Sequence, residues 1–399
     1  MIRTTPFHER TSALNETGLW EHWANYLAAS KYQMSEKFEY VAVRNAVGVF
    51  DTSPLYKYSF SGPDAECFLA GVLARDPRSL APGRAQYTLW CDDRGYLIED
   101  GILLRRKPDE YLLTAAEPNL GYFRDLVVRH DVRIDEVSED YAVMAVQGPS
   151  SRVVLGTVAP QVEKLATFDI VETKVGKAPV IISRTGYTGD LGFEVWVRSD
   201  DAVGVWDAVW HAGEGRGITA FGLTALYMAR IEAGLVLLDI DFESSRFAWT
   251  DSHRTTPLEL GFGWMFRDIL TTDRAFIGRD AIRREIAGKT SRWRLMGLVL
   301  DWQDYDRHYN DAGLIPPKDH TPIQDEYYIY DEEDRQLGWA SSLMYSPVLQ
   351  RHIALARLPL DRAKAGAHVR LEFPVSHRYE YFDAEVARLP LFDPPRRTA

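Results

Sequence analysis

The chain is poor in thiols. Among its 399 residues only Cys67 and Cys91 are cysteines, so neither a disulfide framework nor a cysteine-rich metal site can be built. The ten histidines show no His-Glu-x-x-His or other compact ligand spacing, which leaves no metal site to expect. No run approaches the roughly 18 apolar residues that a membrane span needs. The opening Met-Ile-Arg-Thr-Thr-Pro has no apolar core of a signal peptide. No Gly-x-Gly-x-x-Gly unit follows an N-terminal strand, which disfavours a fused dinucleotide-binding oxidase. Positive charge is also in deficit: 46 Lys and Arg against 58 Asp and Glu give a net charge of −12. That balance argues against nucleic acid or an anionic membrane as the main partner, while a small anion held by local arginines stays open. The absences together predict a cytoplasmic, metal-free protein.

What is present is a globular composition, 46% hydrophobic and 26% charged, with eleven tryptophans and twenty tyrosines. Such a length allows two or three domains, and the rings can line pockets for planar or cationic ligands. One stretch organises the rest, "SRTGYTGDLGFEVWV" at 183–197. It follows the apolar Val180-Ile181-Ile182 and ends in alternating Phe193, Val195 and Val197, which reads as strand, glycine-rich turn, strand. No Gly-Lys-Ser/Thr follows, so it is not a phosphate loop. A tight structural hairpin accounts for the glycine spacing by itself. Glu194, a lone carboxylate in an apolar strand, adds a functional reading: it can accept from a flat heterocycle with two adjacent N–H donors.

In chain order, Leu19, Trp20, Trp23 and Leu27 are spaced as an amphipathic helix over 17–30. A strand at 55–60 leads through Gly62-Pro63-Asp64 into a helix. A hairpin follows, with strands 86–91 and 96–105 around Asp92-Asp93-Arg94-Gly95. Its adjacent Glu99 and Asp100 must point to opposite faces, so only one of them can face a given pocket. The stretches "FSGPDAECFLAGVL" and "VQGPSSRVVLGTV" share a strand, a Gly-Pro entry and a helical face, a weak internal repeat of two αβ modules. Helices are expected at 200–213, 222–236 and 279–287, and a long aromatic loop at 239–256 has the character of a functional one. Six short strands from 296 to 387, with a long loop at 301–325, predict a β module.

Taken in order, "AVRNAVGVFDTSPLYKYSFSGPDA", "GRAQYTLWCDDRGYLIEDG", "AVQGPSS", "SRTGYTGDLGFEVWV", "RIEAG", "TPLELGFGW", "FIGRDAI" and "SSLMYSPVLQRHIALA" resemble the T-protein of the glycine cleavage system and its folate-dependent relatives. The resemblance implies an α+β fold: a three-domain ring of two αβ domains with antiparallel sheets plus a C-terminal β-barrel or jelly roll. The implied domains are 1–57 with 151–255, 58–150 with 256–290, and 291–399. Its implied cofactor is tetrahydrofolate. Carried over by position, Asp100 is the catalytic carboxylate, Glu194 grips the pterin, Tyr87 and Tyr187 contact folate, and Arg396 stands near the ring. Trp249, His253 and Trp264 are candidates for binding the substrate; burial in the core is the plain alternative for Trp264, and solvent exposure for His253.

Several positions depart from the family pattern. Pro54 stands where a histidine is usual and Ala116 where an asparagine is. Leu226 and Tyr227 replace an arginine and an aspartate. The expectation is therefore a demethylase or methyltransferase paralogue that takes a methyl group from a small sulfonium, N-methyl or methoxy donor. An aminomethyltransferase working on a lipoyl carrier protein is the first alternative, and a non-enzymatic folate-binding protein the second. The latter's Lys-Gly-Cys-Tyr-x-Gly-Gln motif is absent, since the hairpin here reads Arg184-Thr185-Gly186-Tyr187-Thr188-Gly189-Asp190.

Overall fold

The computed structural model describes residues 2–398, so the expected outer limits at residues 1 and 399 lie outside it. Among the described residues, the hairpin singled out above is the centre of a six-stranded sheet. Its order is Ile170–Val175, Ala178–Ser183, Gly192–Arg198, Tyr141–Gln147, Val47–Asp51 and Ile218–Ala220, antiparallel except for the last pair. The alternation of strand Gly192–Arg198 decides how the sheet packs. Phe193, Val195 and Val197 are fully buried against helices Ser151–Val158 and Ala202–Gly213, each contributing about 1.5–3 kcal/mol relative to exposure. Trp196 points the other way, into a seam shared with Ala85, Leu104 and Leu112 of a second sheet.

That second sheet runs Arg84–Cys91, Leu97–Lys107, Glu110–Ala115, Tyr56–Ser61 and Arg133–Glu136, antiparallel throughout. Helix Ala65–Val72 covers one face of it through Phe68, Leu69 and Val72. The strand Tyr141–Gln147 was expected with the 58–150 unit; it pairs instead with both Val47–Asp51 and Gly192–Arg198. The second sheet is thus inserted between two neighbouring strands of the first. Residues 256–290 pack onto it, with Arg274 donating to the carbonyls of Ala70 and Leu73 and the Ile277 N–H to Gly71.

The C-terminal strands close into a barrel in the order Trp293–Leu300, Arg351–Pro359, Gln336–Ser346, Tyr327–Tyr330, His368–Val375, Arg378–Ala387. The loop expected at 301–325 contains a helix, Trp302–Asp311, that lays Tyr305 and Tyr309 on the barrel core. Asp301 caps it by accepting the Asp304 N–H at 2.8 Å, an N-cap signal visible in the sequence.

The helix expected over 17–30 is a β-hairpin, Trp20–Trp23 with Tyr26–Ala29. Ala24 and Asn25 take left-handed angles between them, the two-residue turn that joins antiparallel strands. Aromatic residues suit strands, and here the turn outweighs the helical spacing. The two αβ units and the barrel meet in one apolar cluster. It joins Phe50, Phe221 and Leu226 to Leu89 and Leu97, and these to Leu295, Met344 and Leu355.

Candidate active site

Asp100 occupies the strand Leu97–Lys107 opposite Leu89, and it and Glu99 face opposite sides as the pleat requires. Glu99 is 1% exposed and accepts from the backbone N–H groups of Ala116 and Glu117 and from the Asn119 amide. Burial pushes its carboxyl up to about 8, against the pull of those donors. It therefore shapes the 116–119 turn from inside. Asp100 is partly open, and the Tyr87 phenol donates to its Oδ2 at 2.8 Å. Burial raises Asp100 to about 6, and the Tyr87 bond holds it from going higher. Burial and the neighbouring Asp100 push the Tyr87 phenol up, so Tyr87 stays protonated and donates. The next residue must be glycine: a Cβ on Gly101 would lie 2.0 Å from the Thr114 carbonyl oxygen.

Tyr187 packs against the same apolar cluster as Tyr87. Its hydroxyl donates to the Val236 carbonyl. Phe262 packs on the Tyr87 ring at 5.4 Å. Tyr87, Tyr187, Phe262, Ala116, Leu226 and Tyr227 all adjoin the apolar cluster shared by the three units. Leu226 is a member of that cluster and Ala116 packs against it.

Glu194 lies between Ser183 and Ala145 in register. Among the described residues its one hydrogen bond comes from the Thr185 hydroxyl, itself 2.6 Å from that of Ser183. No cation stands within ion-pair distance among those residues, and burial raises its pKa. The turn before it is held by a residue sequence reasoning missed. Gln147 donates to the carbonyls of Thr185 and Phe193 and accepts from Thr188 at 2.8 Å. A Cβ at Gly186 or Gly192 would come 2.1 Å from its side-chain oxygen, so the glycines make room for that amide. The only signal for it was a polar residue ending an apolar strand.

A buried charge network stands behind the turn. Arg44 donates to Glu232 at 2.6 Å and to the Thr188 carbonyl at 2.8 Å, and lies 3.4 Å from Asp190. Arg396 grips Asp190 through Nε at 2.6 Å and Nη2 at 2.9 Å, and also reaches the Arg44 carbonyl. The expected cofactor contact at Arg396 is thus a residue whose guanidinium is bound to protein, bracing the turn that carries Tyr187. The candidates of the 239–256 loop lie apart from this. Trp249 is 91% exposed, and His253 is half-exposed beside Glu243 at 3.4 Å. The loop itself is a strap, with Asp241 buried on Arg230 at 2.6 Å and Ser245 and Thr255 bonded to the Leu97 backbone. Trp264, with burial the expected alternative, is 45% exposed beneath the Arg75 guanidinium. Among the described residues no cluster of His, Cys, Asp and Glu could hold a metal, and no helix is long and apolar enough to cross a membrane.

Residues 6–267 match the GCVT N-terminal domain and residues 312–393 the glycine cleavage T-protein C-terminal barrel domain. The chain belongs to this aminomethyltransferase family, the group its motifs resemble. Among its relatives is an aminomethyltransferase of Bacteroides thetaiotaomicron, 29% identical over 93% of this chain and 95% of that protein. Another is a trimethylamine-oxide aldolase of Ruegeria pomeroyi, 31% identical over 93% of this chain. This chain spans only 45% of the aldolase's length. The crystal structure of the glycine cleavage system aminomethyltransferase T from Bartonella henselae shares the fold, with a TM-score of 0.83 at 21% identity over 98% of this chain and 99% of that one.

Proposed function

We propose that this protein is a tetrahydrofolate-dependent transferase that takes a methyl group from a small methylated donor. The observation that carries the reading is the Asp100–Tyr87 pair, a carboxylate raised to about 6 and held by a neutral phenol. Such a group is ionised at neutral pH yet close enough to it to exchange a proton.

The residues fit the cofactor. Glu194 is a partly buried carboxylate with, among the described residues, one protein donor and no cation, the partner that the adjacent amino and ring N–H groups of a pterin would satisfy. Glu194 and Tyr187 would hold the pterin end, with Tyr87 and Asp100 at the reacting end. Bound tetrahydrofolate supplies the nucleophilic nitrogen that receives the one-carbon group. Asp100 stabilises positive charge on the donor or takes the proton released, at the carboxylate that Tyr87 holds through Oδ2. The shared apolar cluster at Ala116, Leu226 and Phe262 keeps water from the reacting atoms.

Apolar side chains at 116 and 226 suit a small methylated compound, and the likeness to a trimethylamine-oxide aldolase supports an N-methyl donor. A second reading is an aminomethyltransferase working with a lipoyl carrier protein; it is favoured by relatives of that name that match over nearly their whole length. Mass spectrometry separates the two. Formation of 5-methyltetrahydrofolate from a panel of sulfonium, N-methyl and methoxy donors is expected. A 5,10-methylene product formed only with aminomethylated lipoyl carrier would replace the first reading by the second.

A further inference from the structure

Arginines tie this acidic chain together by pairing with buried carboxylates. Arg44, Arg230 and Arg292 each face a carboxylate, Glu232, Asp241 and Glu259, within 2.6–2.8 Å. Arg75 is half-buried and, among the described residues, has no carboxylate within ion-pair distance. Its Nη1 donates to the Tyr87 carbonyl at 3.3 Å, and its guanidinium lies 5.4 Å from the centre of the Trp264 ring. Burial is the one influence that moves its pKa, downward. A guanidinium carries five N–H donors in a planar fork, so most of this fork is unmatched by protein.

Its location gives that vacancy a purpose. The carbonyl it touches belongs to Tyr87, whose phenol holds Asp100. Trp264 sits in the same turn, Phe262–Phe266, as the phenyl ring packed on Tyr87. Arg75 and Trp264 therefore form one flank of the Asp100 site. An arginine stacked on an indole loses little further freedom when it binds, and its fork matches a carboxylate with two parallel hydrogen bonds.

We propose that Arg75, seated on Trp264, is a carboxylate-binding subsite flanking the Asp100–Tyr87 pair. The inference rests on the folate-transferase reading, and two ligands of that reaction could bring the carboxylate: the glutamyl tail of folate, or a methyl donor that is itself an acid.

Titration calorimetry on the full chain distinguishes them, comparing wild type with Arg75→Gln, Arg75→Lys and Trp264→Ala. The probes are tetrahydrofolate, 6-methyltetrahydropterin (a pterin without carboxylates), N,N-dimethylglycine and trimethylamine. Arg75→Gln is expected to weaken a carboxylate-bearing probe about tenfold and leave its carboxylate-free counterpart unchanged. Arg75→Lys, charged but without the fork, should fall between. A loss confined to tetrahydrofolate assigns the folate tail, and one confined to dimethylglycine assigns the donor. Equal losses with and without a carboxylate, or no loss with any probe, overturn the subsite. A wild-type chain that binds neither tetrahydrofolate nor the pterin overturns the folate reading instead, and the dimethylglycine comparison then decides the subsite alone.

Discussion

Tyr87 and Asp100 stand on paired antiparallel strands, and the phenol of the first donates to Oδ2 of the second at 2.8 Å. The bond fixes one carboxylate oxygen and leaves the other for the reacting group. Asp100→Asn keeps the size and the Tyr87 contact but cannot take a proton or carry negative charge. Turnover is expected to drop about 10²–10⁴-fold, the usual contribution of a positioned acid–base group, with tetrahydrofolate affinity retained. Steady-state rates beside calorimetry read both; unchanged turnover would remove Asp100 from the chemistry.

The same carboxylate makes the fold less stable at working pH. Its pKa rises from 3.8 to about 6 on folding, so the folded chain binds this proton more tightly than the unfolded chain does. The associated stability is complete below the unfolded value and is lost as pH rises through the folded one. Asp100→Asn removes that dependence. The variant should be more stable than wild type at neutral pH by about 1–3 kcal/mol, with the gap closing toward acid pH. Urea melts across that range measure it, and a gap that stays constant with pH would contradict a raised Asp100 pKa.

Tyr87→Phe tests the partner. The phenol's hydrogen bond lowers the Asp100 pKa against the effect of burial, so its loss must raise it. The acidic limb of the pH–rate profile should move upward from about 6 by roughly one unit or more, since a hydrogen bond to a charged group is worth about 1.5–3 kcal/mol. A limb that does not move would mean that Tyr87 shapes the pocket without tuning the acid.

Glu194→Gln swaps one acceptor oxygen for a donor where the pterin presents donors. Tetrahydrofolate affinity should fall by about 1–3 kcal/mol while the thermal midpoint holds or rises, because a desolvated carboxylate is relieved. Calorimetry showing wild-type affinity would take Glu194 out of the cofactor site.

The strand positions of the candidate site residues were legible in the sequence. Period-two alternation placed Glu194 in its strand, and the adjacency of Glu99 and Asp100 meant that only one could face a pocket. Tertiary partners were not legible. The pairing of Tyr141–Gln147 with Val47–Asp51 depends on which strands meet, and nothing local encodes that. The hairpin at 20–29 misleads because its aromatic residues repeat at helical spacing, while two left-handed residues make the turn. Arg75 gave no sign, because its seat against Trp264 and the Tyr87 carbonyl is a tertiary contact. Trp249 and His253 shared a loop whose polar, aromatic composition looked functional, yet its buried part is Asp241 on Arg230.

The turn that carries Tyr187 depends on Arg44. Its guanidinium donates to the Thr188 carbonyl and pairs with Glu232, while Asp190 is shared with Arg396. Among the described residues, Arg44→Met would leave the Glu232 carboxylate with only the neutral donors Tyr40 and Ser346, at 2.5 and 2.6 Å. Breaking one side of a buried pair costs about 3–5 kcal/mol, whereas replacing both sides with apolar groups is often close to neutral. Arg44→Met is therefore expected to lower the denaturation midpoint strongly, and Arg44→Met with Glu232→Met to recover part of the loss. Folate affinity should follow a different course. Both variants lack the Thr188 anchor, so both should bind tetrahydrofolate more weakly than wild type, even where stability is regained. Recovery of affinity along with stability would show that the network supports the fold generally and does not position the Tyr187 turn.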